Sequence, residues 1–124
     1  MKLQKITWPA AALLVASFAF KAGAELSEAE ARDLLKRGAL VVDVRTVEEF
    51  NAKRLTNVIN IPVAEVKEKL PAVVTNKSDV VLLHCRSGRR SGVAEGELRA
   101  LGYTNVFNIG SFERAEKILK AAQP

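Results

Sequence analysis

Four short apolar runs, separated by segments with helical patterns, most strongly constrain what this chain can fold into. They occupy residues 39–44, 58–61, 80–83 and 106–109. They are rich in β-branched residues and too short for buried helices, which is typical of strands covered on both faces. Parallel strands need a crossover between them, usually a helix. We therefore expect an α/β domain with a mostly parallel central sheet flanked by helices on both faces.

Signals for helix ends lie between these runs. Ser27 with Glu30, and Thr46 with Glu49, have the spacing of a capping box, so each pair predicts the first turn of a helix. A further helix is expected to stop at Pro71, because proline lacks the N–H that continues a helix. The positions expected to face the core from these and the last helix are Ala31, Leu34, Leu35, Phe50, Val66, Leu70, Phe112, Ala115, Ile118 and Leu119.

The only cysteine of the chain, Cys85, directly follows the third apolar run. A glycine-containing turn comes next, and we expect a helix to begin at Ser91 and to end at Gly102. Ligands of open α/β sheets bind where strands end and helices begin. Backbone N–H groups at such a turn attract anions, so Cys85 is the candidate functional residue.

Three arginines accompany the cysteine, at Arg86, Arg89 and Arg90. Cations are unfavourable for stability at a helix N-terminus, so their presence there suggests a function. A lone cysteine is usually a small buried hydrophobe. Here the positive charges and the loop dipoles are expected to lower the pKa of Cys85 from about 8.5 into the reactive range.

Residues 1–24 have the pattern of a cleaved secretory signal. Lys2 and Lys5 precede an apolar segment, and Ala22, Gly23 and Ala24 form an A-x-A cleavage site. A retained N-terminal anchor is the alternative, although the segment is short for a membrane span. Cleavage would leave one domain, residues 25–124, with no stable membrane span. It would place that domain in the periplasm of a Gram-negative cell.

Charge and composition limit the partners of the exported domain. The net charge of the whole chain is +5, and removal of Lys2, Lys5 and Lys21 lowers it by three, to +2. Nucleic acid is therefore not an expected partner. The only histidine, His84, adjoins the only cysteine, which makes a poor metal site, and neither a metal nor a cofactor is expected. An unpaired cysteine in an exported protein is a candidate reactive thiol.

Several motifs together resemble the rhodanese-domain sulfurtransferases. Residues 85–91, Cys-Arg-Ser-Gly-Arg-Arg-Ser, are similar to the active-site loop of that family, Cys-x4-Arg followed by Ser. Residues 43–50, 58–62 and 102–106 resemble its D-x-R-x-x-x-E-[FY], A-x-N-I-P and G-Y-x-N-V segments. The resemblance covers nearly all of residues 25–124 and implies a rhodanese-like fold.

The chain also departs from the family pattern. Residues 53–55 read Lys-Arg-Leu in place of Gly-His-Ile, Ser111 stands where a second glycine is common, and Ala115 stands where tryptophan is common. These positions concern the pocket rim or packing, so they bear on the substrate more than on the chemistry. Gly92 and Gly96 each cost about 1 kcal/mol inside a helix, and close packing of the helix on the sheet would account for them.

The resemblance implies a sulfurtransferase in which Cys85 is the nucleophile. Cys85 would take sulfur from a small anionic donor such as thiosulfate, carry it as a persulfide, and pass it to a thiol or cyanide acceptor. A thioredoxin-like protein is among the expected acceptors, and the protein is expected to be a monomer. The expected substrate-binding residues, whose backbone N–H groups would hold the outer sulfur, are Arg86, Ser87, Gly88, Arg89 and Arg90. Arg86 and Arg90 are the expected main binders of the donor.

Neighbouring polar residues are expected to be structural. His84 should face away from Cys85, because adjacent strand residues point to opposite faces of the sheet, and we expect it to be half-buried. Asp43 and Arg45 are expected to form an ion-pair network beside the loop, with Glu49 as a further member.

Two other functions stay open on the sequence. A phosphatase or arsenate reductase of this fold would use a Cys-x5-Arg loop, but four residues separate Cys85 from Arg90, and Ser91 occupies the position of that arginine. A tetrahedral phosphoryl group also needs more room than one sulfur atom. A non-catalytic sulfur-carrier or partner-binding module would keep the fold and the cysteine.

Overall fold

A computed structural model describes residues 25–123, so the signal peptide predicted for residues 1–24 lies outside the described residues. Strands and helices alternate along this part of the chain. The elements are α1 (Glu28–Lys36), β1 (Leu40–Asp43), α2 (Val47–Ala52), β2 (Ile59–Asn60), a 3-10 helix (Val63–Glu65), α3 (Val66–Val73), β3 (Val81–His84), α4 (Arg89–Ala100), β4 (Val106–Gly110) and α5 (Phe112–Ala122).

The strands form one sheet in the order β2-β1-β3-β4, and each neighbouring pair is parallel. β3, which precedes the cysteine, is therefore a central strand, and its carboxyl end lies beside the ends of β1 and β4. The predicted α/β class with a mostly parallel sheet is confirmed. Within residues 25–123, every helix is too short or too polar to cross a bilayer.

Alternating strand side chains divide the core into two layers. Val42 and Leu83 belong to the layer covered by α3 and α4, whereas Val41 and Leu82 belong to the layer covered by α1 and α5. This confirms helices on both faces. The helix and loop residues of the first layer include Val66, Leu70, Ala94, Leu98 and Tyr103, and those of the second include Ala31, Phe112, Ala115 and Ile118.

Both predicted capping boxes are present. The Ser27 hydroxyl accepts the Glu30 N–H at 3.0 Å, and the Glu30 carboxylate accepts the Ser27 N–H at 2.9 Å. The Thr46 hydroxyl accepts the Glu49 N–H at 3.1 Å, and the Glu49 carboxylate accepts the Thr46 N–H at 3.0 Å. These contacts satisfy N–H groups that have no partner inside the helix.

Two predicted helix boundaries are wrong. α3 continues past Pro71 to Val73, because the Val74 N–H donates to the Leu70 carbonyl at 2.8 Å and closes the last turn beyond the proline. The proline removes one hydrogen bond, and burial of Leu70 holds the turn in place. α4 begins at Arg89 rather than Ser91, because the chain reverses at Gly88, whose φ is +96°.

Candidate active site

Cys85 lies one residue beyond β3 and is a buried, free cysteine in the layer under α3 and α4. Its own N–H donates to the Gly110 carbonyl at 3.2 Å, which continues the pairing with β4. Its sulfur faces the loop before α4, where the Gly88 N–H donates to Sγ at 3.0 Å. The sulfur is thus held at the N-terminus of a helix, as expected for an anionic group.

The loop closes tightly around the sulfur because Gly88 adopts a left-handed conformation. A Cβ atom on Gly88 would lie 3.3 Å from the Gly110 Cα, in addition to the strain of its φ of +96°. The rest of the loop is tied to the start of α5. Ser87 pairs with Ser111, and the Phe112 N–H donates to the Arg86 carbonyl at 3.2 Å.

Hydrogen bonds favour the charged form of the cysteine. Burial raises the pKa of Cys85, but the Ser91 hydroxyl and the backbone N–H groups of Ser91, Gly88 and Ser87 outweigh it, and the pKa lies below its ordinary value. The Ser91 hydroxyl oxygen is 3.4 Å from Sγ. The direction agrees with the prediction, although its main cause is the hydrogen bonding of the loop rather than the arginines.

The three loop arginines have different surroundings. Arg86 and Arg89 are exposed, and neither forms an ion pair with a carboxylate in the described part of the chain. Arg90 is partly buried and forms two hydrogen bonds to the Glu49 carboxylate, at 2.7 and 3.0 Å. Glu49, above all, and also the Cys85 sulfur raise the pKa of Arg90. Arg90 is therefore electrostatically coupled to the sulfur.

The expected place of Glu49 in the Asp43–Arg45 network is wrong. The hydrogen bonds from Arg90, together with those from Thr46, lower the pKa of Glu49 to about 2. The sequence shows the capping role of Glu49 but not its partner 41 residues away. That pairing depends on how α2 and α4 meet at the end of the sheet.

Asp43 and Arg45 form a buried pair on their own, in agreement with their predicted structural role. Arg45 Nη2 is 2.7 Å from Asp43 Oδ2, and the Arg45 backbone N–H donates to Asp43 Oδ1 at 2.9 Å. Arg45 also donates to the Lys53 carbonyl at 2.6 Å, and its guanidinium lies 4.8 Å from the centre of the Phe112 ring. The pair therefore fastens the segment after α2 to the carboxyl end of β1.

His84 is fully buried rather than half-buried. It packs edge-on against Phe112, on the sheet face opposite Cys85, and its Nε2 lies 3.8 Å from Asp43 Oδ2. Among residues 25–123, that Nε2 has no hydrogen-bond partner. Burial lowers the pKa of His84 and outweighs the opposing attraction of Asp43, which favours the neutral ring.

Asn108 and Ser91 complete the site; Ser91 belongs to the loop motif, whereas the sequence did not identify a role for Asn108. The Ser91 hydroxyl donates to Asn108 Oδ1 at 2.7 Å, and Asn108 Nδ2 donates to the Gly88 carbonyl at 2.9 Å. A polar residue inside the apolar run 106–109 was the available signal. Its contacts with the loop depend on the pairing of β3 with β4, which the pattern alone does not define.

The departures from the family pattern have different structural contexts. Ser111 caps α5, since its hydroxyl accepts the Arg114 N–H at 3.1 Å, and Ala115 is buried in the second layer. Lys53 is exposed, with Nζ 5.1 Å from the centre of the Phe112 ring. Its contact is with the ring of Phe112, a residue of the second layer.

The two glycines inside α4 have different surroundings. A Cβ on Gly92 would lie 3.4 Å from Asn108 Nδ2, whereas a Cβ on Gly96 would meet no atom within 4 Å. The packing explanation for Gly96 is therefore wrong, and nothing in the structure explains that glycine.

The described part of the chain contains no group of three or more side chains able to hold a metal ion. What the site offers is an ionisable sulfur, backbone N–H donors around it, and cations at its rim. This arrangement can bind an anionic molecule and stabilise negative charge on sulfur.

Comparisons with known proteins agree with this geometry. The rhodanese-like domain family matches residues 27–116. The thiosulfate sulfurtransferase PspE of Escherichia coli is 40% identical over 72 residues, which are 58% of this chain and 69% of the relative. Among solved structures, an E. coli rhodanese with anions is 38% identical with a TM-score of 0.60, over 62% of this chain and 91% of the other. The human single-domain sulfurtransferase TSTD1 is 29% identical with a TM-score of 0.62, over 77% and 97%.

Proposed function

This chain belongs to the rhodanese-like domain family, and from that premise we propose that it is a thiosulfate-type sulfurtransferase that works through a persulfide on Cys85. The observation that carries the proposal is the placement of the sulfur. Cys85 Sγ accepts the Gly88 N–H at 3.0 Å at the N-terminus of α4. Such a site stabilises a thiolate, which is the nucleophilic form of cysteine.

The reaction has two steps. The Cys85 thiolate attacks the outer sulfur of thiosulfate, a new S–S bond forms, and sulfite leaves with the electron pair of the broken bond. A thiolate or cyanide acceptor then attacks the same outer sulfur, and Cys85 leaves as the thiolate. Covalent catalysis of this kind needs no general base when the thiol is already ionised, which agrees with the lowered pKa of Cys85.

The loop residues have distinct proposed roles in binding. The backbone N–H groups around Ser87 and Gly88 would hold the outer sulfur, and the exposed side chains of Arg86 and Arg89 would attract the donor. Arg90 would act closest to Cys85, with its orientation set by Glu49. The similar E. coli rhodanese was solved with anions, which supports an anionic substrate.

Intact mass spectrometry tests the proposal most directly. The chain has a single cysteine, so incubation with thiosulfate should add one sulfur atom, and cyanide should remove it. The Cys85→Ser variant should stay folded and take up no sulfur. Hydrolysis of aryl phosphates without a persulfide would overturn the proposal in favour of a phosphatase. A persulfide that no acceptor discharges would indicate a sulfur carrier.

Export is a separate part of the proposal. Residues 1–24 combine lysines, an apolar segment and an A-x-A site, and we infer that they direct the chain to the periplasm and are removed. The domain that remains would act as a monomer on a small anionic donor, with a thiol, cyanide or a thioredoxin-like protein as the acceptor.

A further inference from the structure

Asn108 occupies a position in β4 from which its side chain reaches three groups of the site. Its Nδ2 donates to the Gly88 carbonyl at 2.9 Å, and its Oδ1 accepts the Gly110 N–H at 2.8 Å and the Ser91 hydroxyl at 2.7 Å. The orientation of the amide is unambiguous, because a backbone carbonyl can only accept and a backbone N–H can only donate. Ser91 must therefore donate its proton to reach Oδ1.

The Ser91 hydroxyl has two acceptors but only one proton. Its oxygen lies 2.7 Å from Asn108 Oδ1 and 3.4 Å from Cys85 Sγ. A hydroxyl donates one hydrogen bond at a time, so a proton directed at Asn108 is not available to the sulfur. Ser91 itself is fully buried, so bulk water does not readily supply a substitute donor.

We propose that Asn108 is a positioning residue that competes with Cys85 for the proton of the Ser91 hydroxyl. The hydroxyl donates to Cys85 when the sulfur is a free thiolate, and to Asn108 when Cys85 carries transferred sulfur. The second half of this statement rests on the proposed function. In a persulfide the charge lies on the outer sulfur, and Sγ becomes a weak, neutral acceptor.

The change of hydrogen-bond partner by Ser91 costs little free energy, because Asn108 Oδ1 always keeps one donor. When Ser91 turns to the sulfur, Asn108 Oδ1 still accepts the Gly110 N–H at 2.8 Å. An unsatisfied buried acceptor, by contrast, would oppose the change. As an acceptor molecule removes the outer sulfur, Sγ keeps the electron pair of the broken S–S bond. The reoriented hydroxyl then stabilises the departing thiolate without transferring its proton.

The charged groups nearest Cys85 come from α2, α4 and the loop between β3 and α4. Arg90 interacts with the sulfur from α4 and is paired with Glu49 of α2. Arg86 and Arg89 are exposed in the loop, and His84 lies on the other face of the sheet. Glu95 of α4 accepts the Asn108 backbone N–H at 3.1 Å, a bond that does not involve the Asn108 side chain. A change in the ionisation of Cys85 on substitution of Asn108 is therefore separable from these groups.

The test is a double-mutant cycle between Asn108 and Ser91, read from the rate of Cys85 alkylation against pH in the full chain. Asn108→Leu keeps the branching at Cγ, although it is larger, and removes the competing acceptor. With Ser91 present, alkylation at about pH 6 should become roughly threefold faster, because the serine no longer gives up a bond to residue 108 when it turns to the thiolate. In the Ser91→Ala background, the same substitution should give no acceleration.

If the role of Asn108 were merely structural, its substitution should slow the alkylation of Cys85 instead of accelerating it. Losing its bonds to Gly88 and Gly110 would loosen the loop, weaken the Gly88 N–H bond to the sulfur, and slow alkylation at low pH in both backgrounds. That result, or equal effects with and without Ser91, would overturn the inference. Circular dichroism and thermal melting establish that each variant is folded.

Asn108→Asp gives a second cycle should the leucine variant not fold. It is isosteric and keeps the oxygen that accepts from Ser91, and its charge strengthens the competition. It should slow alkylation more with Ser91 than with Ala at that position, and equal slowing would count against the inference. Alkylation needs no sulfur donor, so coupling without sulfur uptake would refute only the proposed function. Sulfur uptake with additive effects would refute only the role of Asn108.

Discussion

Glu49 and Arg90 are 41 residues apart in the chain and meet in a two-point ion pair beside the cysteine. Arg90 Nη1 is 2.7 Å from Glu49 Oε1, and Nη2 is 3.0 Å from Oε2. The same carboxylate accepts the Thr46 N–H at the start of α2. One side chain therefore caps a helix and fixes the arginine that interacts with Cys85.

The Glu49→Gln variant should remove the charge of this pair but keep the capping box, because glutamine also serves at that position. The pKa of Glu49 is about 2, below the ordinary 4.5. A lowered pKa stabilises the folded state above the unfolded value, and this contribution is lost as the pH falls from 4.5 towards 2. Near neutral pH, the variant should have a free energy of unfolding about 1 kcal/mol lower, since the pair is partly exposed.

Urea unfolding of both proteins near neutral pH and near pH 3 checks the Glu49 prediction. The difference in free energy of unfolding between the two proteins should be smaller at the lower pH, because the ion pair contributes less to the stability of the unsubstituted protein there. A difference in free energy of unfolding that does not change with pH would mean that the ion pair does not contribute to stability.

Substitution of the exposed loop arginines should weaken donor binding. Arg86→Ala or Arg89→Ala should raise the KM for thiosulfate severalfold and reduce its dependence on ionic strength, because exposed charges act through a screened field. Lys36→Ala is the matched control. This exposed cation lies at the end of α1, near the amino end of β1, whereas Cys85 follows the carboxyl end of β3. Equal effects at all three positions would indicate a general charge effect.

Alanine at two glycines should change stability in opposite directions. Gly88→Ala should destabilise the fold by about 1–3 kcal/mol, because φ is +96° and the new Cβ would lie 3.3 Å from the Gly110 Cα. Gly96→Ala should stabilise it by up to about 1 kcal/mol, because the site is open and helical. Thermal unfolding of both variants checks the pair, and a destabilised Gly96→Ala protein would contradict the second half.

Removal of residues 1–24 has an optical consequence. The only tryptophan of the chain is Trp8, so protein recovered from the exported fraction should show tyrosine emission alone. Its intact mass should correspond to a chain that begins at Glu25. Tryptophan emission from that fraction would show that the segment is retained as an anchor.

Local patterns predicted much of this fold correctly because their causes are local. The capping boxes at Ser27 and Thr46 depend on side chains three residues apart. The buried strands follow from apolar runs that only a covered sheet can accommodate. The position of Cys85 between a strand and a helix also follows from the sequence. The boundaries at Pro71 and Ser91 were wrong, because a buried Leu70 and the turn at Gly88 outweigh local propensity.

By itself, the sequence determined the α/β class, the place of the cysteine between a strand and a helix, and the cations beside it, since each depends on residue type and short spacing. Only the tertiary structure decided which groups contact the sulfur. The pairing of Glu49 with Arg90, and of Asn108 with Ser91, joins elements that are distant in the chain. Such contacts arise because parallel strands bring the ends of separate βα units to one edge of the sheet. The order of residues along the chain does not by itself specify which side chains meet there.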